Sequence, residues 1–368
     1  MSLNSVAETI AAIADGELVV MVDDDDRENE GDLIMAASKA TPEQIAFMIR
    51  HTSGIVCAPL RQDRAEQLQL APMVANNRDP MRTAFTVSVD YAVGLTTGIS
   101  ADERTNTLRA LANDNCIATD FLRPGHVFPL ISKTGGVLIR SGHTEAATDL
   151  ARLAGLEEVG VLAEIVNDDG TVKRLPELVA FAREHGLKIV SIADLIEHRI
   201  RTESFVRRVE TFTIATPVGE AAAHIYTTPF DDTQHLAVVF GEVDGGLNVP
   251  CRIHHEQPLR DLFQGSRSQR WLDTALTRFQ KSGKGVLVYV RDPRVTSLTS
   301  AEAATPERAD RHRSSRVRME RWREIGLGAQ ILRDLQVSSI TLLATQHRQY
   351  VGLAGFGIGI TDTEIVES

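Results

Sequence analysis

Seven of the ten residues from Asp23 to Asp32 are acidic, in the order Asp23-Asp24-Asp25-Asp26-Arg27-Glu28-Asn29-Glu30-Gly31-Asp32. Carboxylates crowded behind one short strand repel each other, and a bound cation would offset that repulsion. Mg2+ favours such a place, with few protein oxygens and the rest of its shell from water and substrate. The alternative is a solvated acidic loop, the usual fate of a charge run. Two features favour the metal. Apolar segments, Leu18–Val22 and Leu33–Ala37, flank the run, and it contains Arg27 and Gly31, as a loop approaching an anionic substrate would.

A second segment, Arg140-Ser141-Gly142-His143-Thr144, stands just before a helical stretch. Exposed N–H groups and the helix dipole make such a junction an anion site. Arg140 can add a bidentate phosphate contact, and His143 offers a neutral imidazole nitrogen to a metal. The competing reading is capping by Thr144, with His143 on the surface. Two proton-transfer candidates follow. His126 sits between an Arg123-Pro124-Gly125 turn and an apolar strand, and its side chain titrates in the range suited to proton transfer near neutrality. Glu164 lies in the apolar run Gly160–Val166. A carboxylate there is either paired structurally with an arginine or a functional acid. Cys57, in an apolar stretch, reads as core rather than nucleophile.

The elements that must position these residues alternate along the chain. Helical spacing covers Val6–Ala14, a Thr41-Pro42-Glu43 cap opens a helix through Arg50, and further helical patterns span Ala101–Leu111, Glu145–Ala154, Leu175–His185 and Ile192–Arg201. Strand patterns cover Leu18–Val22, Ile55–Leu60, Arg82–Val89, Val127–Ile131, Gly160–Val166 and Lys188–Ser191. The arginine-rich segment Arg199–Arg208 has no apolar period and reads as a linker. Beyond it, Glu210–Ile225 and Leu236–Val243 look like a meander, Trp271–Gln280 a helix, Gly285–Arg291 and Ile340–Ala344 strands, and Ala301–Arg323 a charged, solvated helix.

A chain of 368 residues exceeds one ordinary core, so two domains are expected. The net charge of −11 disfavours nucleic acid and anionic membrane as partners. Cys57, Cys116 and Cys251 form no close pair, which argues against a disulfide framework or a cysteine zinc cluster. The N-terminal stretch carries acids and no basic region before an apolar core, and no apolar run is long enough to span a bilayer. A cytoplasmic, reducing location is the expectation.

Five motifs, in order, closely resemble 3,4-dihydroxy-2-butanone 4-phosphate synthase of riboflavin biosynthesis: the acidic run, Arg50-His51-Thr52-Ser53-Gly54-Ile55-Val56-Cys57, Thr96-Thr97-Gly98-Ile99-Ser100-Ala101, Arg123-Pro124-Gly125-His126-Val127-Phe128-Pro129-Leu130, and Arg140-Ser141-Gly142-His143-Thr144-Glu145. The resemblance implies a lyase domain over 1–202 with an α+β, three-layer α/β/α fold, acting as a homodimer with active sites at the interface. It implies conversion of D-ribulose 5-phosphate to L-3,4-dihydroxy-2-butanone 4-phosphate and formate. Glu28 and His143 would ligate Mg2+ or Mn2+. Arg27, Glu28, Asp32, Glu164 and Arg140, Ser141, Gly142, His143 and Thr144 would contact substrate, with Arg140 and Thr144 near its phosphate. His126 and Glu164 would be essential to catalysis, and Asp23–Asp26 with Glu30 would position the loop.

Residues 206–368 resemble GTP cyclohydrolase II, a mixed α/β domain, through Arg252-Ile253-His254-His255-Glu256, Val286–Arg291, Ile325–Leu335 and Val351–Gly357. The family's three zinc cysteines are replaced here by Gln257, Ser268 and Arg270, and Arg cannot ligate zinc. The nucleotide loop is replaced by Asp292-Pro293-Arg294-Val295-Thr296, and Thr345-Gln346-His347 stands where Asn-Asn-Pro is expected. No zinc and no GTP hydrolysis are therefore expected of this half. It would serve as a support, a regulator or a contact for other riboflavin-pathway enzymes, with a bifunctional enzyme as the alternative.

Overall fold

The computed structural model describes residues 3–24, 27–229, 231–243, 245–256, 265–291, 326–344 and 357–365. The chain divides into two compact units, with the boundary between Arg199 and Ile200.

The first unit is built on a seven-stranded mixed sheet in the order β4-β5-β3-β6-β2-β1-β7. Its strands are β1 (Val19–Val22), β2 (Gly31–Ala36), β3 (Cys57–Leu60), β4 (Val89–Tyr91), β5 (Phe121–Ile131), β6 (Gly160–Glu164) and β7 (Lys188–Ser191). β1 and β2 are buried at every position. Helices cover both faces of the sheet, which is why these strands read as unbroken apolar runs rather than alternating ones. On one face Val20, Val22, Leu33, Met35, Ala58 and Val127 form a core with Ile45 and Met48 of α2 (Pro42–His51), Ala65 of α3 (Gln62–Gln67), Leu108 and Leu111 of α4 (Ala101–Leu111), and Leu178 and Phe181 of α6 (Leu175–Glu184). On the other lie α1 (Val6–Asp15) and α5 (His143–Leu153). The arrangement is the expected three-layer α/β/α sandwich. The helices begin where the sequence caps them: Ser5 with Glu8, Thr41 with Gln44 before Pro42, and Ser100 with Glu103 each form a reciprocal capping box.

Several local expectations are corrected. Arg123-Pro124-Gly125-His126 is not a turn: β5 runs through it, with a cis peptide at Arg123-Pro124. The β4–β5 register shifts between Val89 and Asp90, which takes up the extra residues. Gly125 is required there, because a Cβ would lie 2.0 Å from the Val89 carbonyl carbon. Of the alternating stretch Arg82–Val89, only Val89 enters a strand, β4, and Phe85 and Thr86 form isolated bridges, because Asn77 and Asp79 bond the backbone of 79–83 into a turn. The linker is also shorter than expected. α7 runs Ile192–Thr202, and Arg199 is buried against the Asp149 carboxylate at 2.7 Å. Gly31 is a β2 residue beneath Leu178, whose side chain a Cβ would meet at 2.4 Å, so packing rather than substrate approach requires glycine.

The second unit carries its own seven-stranded sheet, β14-β13-β11-β12-β10-β9-β8. β8 (Arg207–Thr216), β9 (Gly219–Thr228) and β10 (Asp231–Phe240) form the antiparallel meander, and β11 (Val249–His255), β12 (Gly285–Val290), β13 (Ser339–Ala344) and β14 (Gly359–Ile365) are parallel. The helix Gly265–Ser282 packs on β11 and β12. The charged segment 301–323, the replaced loops 292–296 and 345–347, Gln257, and the side chains of Ser268 and Arg270 lie outside the described residues. Among the described residues, no helix is long and apolar enough to cross a membrane.

Candidate active site

The acidic loop between β1 and β2 is organised around Asp23. Its buried carboxylate accepts hydrogen bonds from Arg27 Nη1 and the Glu28 N–H at 3.0 Å and from the Glu30 N–H at 2.8 Å. Arg27 is itself buried and also holds Glu28. From α6's N-cap, Arg174 binds the carbonyls of Glu28 and Asn29, the latter in the left-handed region at φ 54°. Glu28 is thereby aimed at His143 Nδ1, 3.8 Å away, with Asp32 4.0 Å from the same nitrogen. Asp23, Glu28 and His143 each bring a ligand atom to within 4.8 Å of the others.

These groups perturb one another strongly. Burial alone would raise Glu28, but the neighbouring His143 and Arg27 draw its pKa down to about 2. Asp32, fully enclosed, is pushed up to about 7 by burial. His143 is held up at about 9, against its own burial, chiefly by Asp32 and Glu28. His143 Nε2 and Asp32 Oδ1 are buried with no hydrogen-bond partner. The Asp23 and Glu28 carboxylates and the His143 imidazole, with buried unpartnered atoms on His143 and the adjacent Asp32, form a donor set that fits a hard divalent cation, which would displace the imidazole proton.

Strand register carries the remaining residues into line. Asp32 pairs with Glu164. Cys57 pairs with Leu162 of antiparallel β6 and with Phe128 of parallel β5. Two residues back from Cys57, the neighbours are therefore Glu164 on one side and His126 on the other. The two-residue period puts Asp32, Glu164 and His126 on one face, the face under α5. At about 4.8 Å per strand interval, His126 and Glu164 lie about 10 Å apart at the backbone, with Asp32 one interval further. Ser53 Oγ donates to Glu164 Oε2 at 2.6 Å, so a serine rather than an arginine pairs with this acid. His126 Nδ1 lies 2.7 Å from Asp90 Oδ2, and the His126 N–H donates to Asp90 Oδ1 at 2.8 Å. Cys57 is buried and burial pushes its thiol up, so it is core, as expected.

The N-terminus of α5 closes the site. Gly142, not Thr144, is the N-cap, and it offers no side chain to the first turn. The first-turn N–H groups of His143, Thr144 and Glu145 therefore have no helical acceptor. Thr144 is buried and Ser141 half-buried in the approach. Arg140 is fixed by Glu145 Oε2 at 2.7 Å, the Met81 carbonyl at 3.1 Å and Thr83 Oγ1 at 3.3 Å. A Cβ on residue 142 would sit 2.3 Å from Arg140 Nη1.

The described site residues expected of the first unit are thus gathered on one sheet, while Asp25 and Asp26 lie outside the described residues. Two others were missed, and one has more than its expected role. Ser53 holds Glu164 and Asp90 holds His126, while Asp23, expected to position the loop, also lies within the ligand cluster. Asp90 carries the same signal as Glu164, an acid within an apolar strand. Nothing in the sequence distinguishes Asp23 from its three acidic neighbours.

The family model for 3,4-dihydroxy-2-butanone 4-phosphate synthase matches residues 7–198, and that for GTP cyclohydrolase II matches residues 207–365. The monofunctional riboflavin biosynthesis protein RIBA 2, chloroplastic, of Arabidopsis thaliana is 44% identical over 97% of this chain and 76% of its own length. The riboflavin biosynthesis protein RibBA of Rhodococcus erythropolis is 45% identical over 98% of this chain and 88% of its own. The crystal structure of RibBX, a two-domain 3,4-dihydroxy-2-butanone 4-phosphate synthase from A. baumannii, superposes with a TM-score of 0.79 at 38% identity, covering 99% of this chain and 100% of that one. A synthase structure in complex with two magnesium ions matches at 47% identity and a TM-score of 0.53, covering 54% of this chain and 98% of that one. Fold and site together define a two-domain lyase of riboflavin biosynthesis. The chain belongs to the 3,4-dihydroxy-2-butanone 4-phosphate synthase family, with a GTP cyclohydrolase II-like second domain.

Proposed function

We propose that the site above converts D-ribulose 5-phosphate to L-3,4-dihydroxy-2-butanone 4-phosphate and formate, with Glu28 and His143 holding Mg2+ or Mn2+ and Asp23 beside them. The observation that carries this reading is the convergence of Asp23, Glu28 and His143, the last with its Nε2 buried and unpartnered. When bound, the cation supplies Lewis-acid polarisation of the substrate's hydroxyl and carbonyl oxygens. The α5 N-terminus, with Arg140, Ser141, Gly142 and Thr144, receives the phosphate. Arg27 and Asp32 border the sugar. His126 and Glu164, on either side of β3, move protons at different carbons, as enolisation, loss of the C1 hydroxyl and release of formate require. Enolisation needs a base beside the ketone, and loss of hydroxide needs an acid. The assay is formate release from ribulose 5-phosphate with and without chelator. Activity unchanged by chelation, or full activity in Glu28→Ala or His143→Ala, would refute the metal assignment.

We also propose a homodimer. Val93, Ile117 and Leu122 are 65%, 56% and 50% exposed about the β4–β5 edge, and Ile99 is 54% exposed in the loop beside His126. A partner covering them would also shield the site. Light scattering tests the dimer, and a monomer at micromolar concentration would refute it. The described cysteines are free and buried, which suits the proposed cytoplasmic, reducing location.

We assign residues 1–202 to the synthase and 206–368 to a second domain without cyclohydrolase activity. Gln257, Ser268 and Arg270 support that assignment, since they cannot reproduce a tri-cysteine zinc site. At the C-terminal end of β11, His254 stacks on Trp271 with centroids 4.0 Å apart and planes 10° apart, so aromatic packing occupies this end of the strand. Overall identity does not decide the point. RIBA 2, described as monofunctional, and RIBA 1, described as bifunctional, both match at 44%. Support of the dimer, regulation of the synthase and contact with other pathway enzymes remain roles for this domain.

A further inference from the structure

We propose that His51 and His185 form a second metal site, which takes a borderline divalent ion of the Zn2+ class and staples α2 to α6. Both helices close on the same pattern, a phenylalanine followed four residues later by a histidine: Phe47 and His51 end α2, and Phe181 and the C-cap His185 end α6. Side chains four apart share a helix face. Each phenylalanine therefore backs its own imidazole, with ring centroids 4.4 Å apart in α2 and 4.5 Å apart in α6. The two imidazoles meet between the helices, with centroids 5.0 Å apart and planes tilted by 50°.

That separation is the one a shared ion requires. An imidazole nitrogen lies about 1.1 Å from its ring centre and about 2.0–2.1 Å from a zinc ion, so two rings on one tetrahedral ion have centroids about 5 Å apart. Both rings are half-buried, and neither has a hydrogen bond to another described residue. Packing alone would be served as well by a phenylalanine at each position, whereas two imidazoles without partners offer lone pairs. Burial, then the neighbouring His185 and Arg50, hold the His51 pKa below its ordinary value, against the opposing pull of Asp168 and Glu184. A neutral ring is the form that ligates a metal, and these two exposed acids add negative charge around a bound cation.

This site is separate from the acidic one. α2 and α6 cover the face of the sheet opposite α5. Arg174, at the N-cap of α6, holds the Glu28 loop, and His185 stands at the other end of that helix, about 16 Å away at 1.5 Å per residue. The chemistry differs too. The acidic site offers mainly carboxylate oxygens, which suit Mg2+, while neutral imidazoles suit Zn2+, Ni2+ and Cu2+. Resident zinc sites have three or four protein ligands. Two imidazoles leave the rest of the shell to water, so the ion exchanges with solution and the isolated chain retains none.

The experiment is calorimetric titration of the full chain with Zn2+ in excess Mg2+, which occupies the acidic site. Wild type should bind one equivalent of Zn2+. His51→Gln and His185→Gln should each weaken that binding by at least about tenfold, the least expected when even an outer-shell partner is worth about 10–100-fold. His143→Gln should retain it. Urea unfolding gives an independent reading, because an ion bound only by the folded state raises the midpoint. Zn2+ should raise the midpoint of wild type and leave those of His51→Gln and His185→Gln where they are. A wild-type chain that binds no Zn2+ in excess Mg2+ would overturn the proposal without any variant. So would an affinity unchanged in His51→Gln or His185→Gln, which would leave the four rings as packing alone. Loss of the equivalent in His143→Gln would overturn it as well, by placing the ion in the acidic site.

Discussion

Replacing Gly98 by alanine should damage catalysis far more than the same change at Gly94, although both sit at similar positive φ, +84° and +74°. At Gly94 a Cβ would meet nothing within 4 Å, so only the backbone penalty applies, about 1 kcal/mol for a left-handed non-glycine residue. At Gly98 the same penalty is joined by contacts of 2.2 Å to Asp90 Oδ2 and 2.7 Å to His126 Nδ1. Both are well inside van der Waals distance. The loop is anchored through Glu103, so the Asp90–His126 pair must yield. Overpacking of this kind costs about 1–3 kcal/mol, so Gly98→Ala should lose about 2–4 kcal/mol in all. A displacement of the imidazole by about 1 Å is enough to lower kcat on the order of 100-fold. Urea unfolding gives the stability difference, and steady-state formate release at saturating metal gives the kinetic one. If Gly98→Ala keeps kcat within a few-fold of Gly94→Ala, the contact among loop, acid and imidazole does not govern the chemistry, and the reasoning fails.

Other expectations follow from the same geometry. Glu28→Gln should weaken Mg2+ or Mn2+ binding by more than the roughly 10–100-fold typical of losing an outer-sphere partner, as read by calorimetry; unaltered affinity would remove Glu28 from the ligand set. Glu103, held near pKa 2 by the Thr96 hydroxyl, the Thr96 N–H and Ser100, stabilises the folded state above its unfolded pKa of about 4.5, and that contribution disappears as pH falls towards 2. Glu103→Gln should therefore flatten the stability profile between those values, and an identical acid limb in wild type and variant would contradict this. Arg199→Ala leaves the buried Asp149 without its 2.7 Å partner and should cost about 3–5 kcal/mol in urea unfolding; a loss below 1 kcal/mol would mean that Asp149 finds another partner. Metal analysis of the whole chain should find no stoichiometric zinc, and GTP should yield no formate; either signal would restore the bifunctional reading.

Much of this was legible in the sequence because the signals are local. Thr41 announces its helix through short-range capping, helical spacing announces those over Val6–Ala14 and Ala101–Leu111, and wholly apolar runs announce strands covered on both faces. What stayed hidden depends on distant partners. Arg123-Pro124-Gly125-His126 contains turn residues, yet it becomes strand because Val89 and Asp90 pair on both sides of it. Gly31 looked like a substrate-approach residue until Leu178, remote in sequence, claimed its space. The partners of Glu164 and His126 were unreadable for the same reason, since Ser53 and Asp90 lie 111 and 36 residues away.

The acidic loop also shows how a chain can tolerate so many carboxylates at one strand end. The loop neutralises part of its charge internally, because Asp23 takes N–H groups from Arg27, Glu28 and Glu30. Its ends are fixed by β1 and β2, which pair directly from Val22 opposite Gly31, so the carboxylates have little freedom to spread apart. Repulsion that cannot be relieved by motion stays as a standing demand for positive charge. His143 adds to the Arg27 guanidinium as a second positive charge, and Asp32 and Glu28 hold its pKa near 9. A divalent ion held by Glu28 and His143 would meet that demand better, since it would compensate two charges at once. The sheet therefore shapes the cluster without a metal, and the register that fixes Asp32 opposite Glu164 places the proposed metal ligands beside the proposed proton-transfer groups.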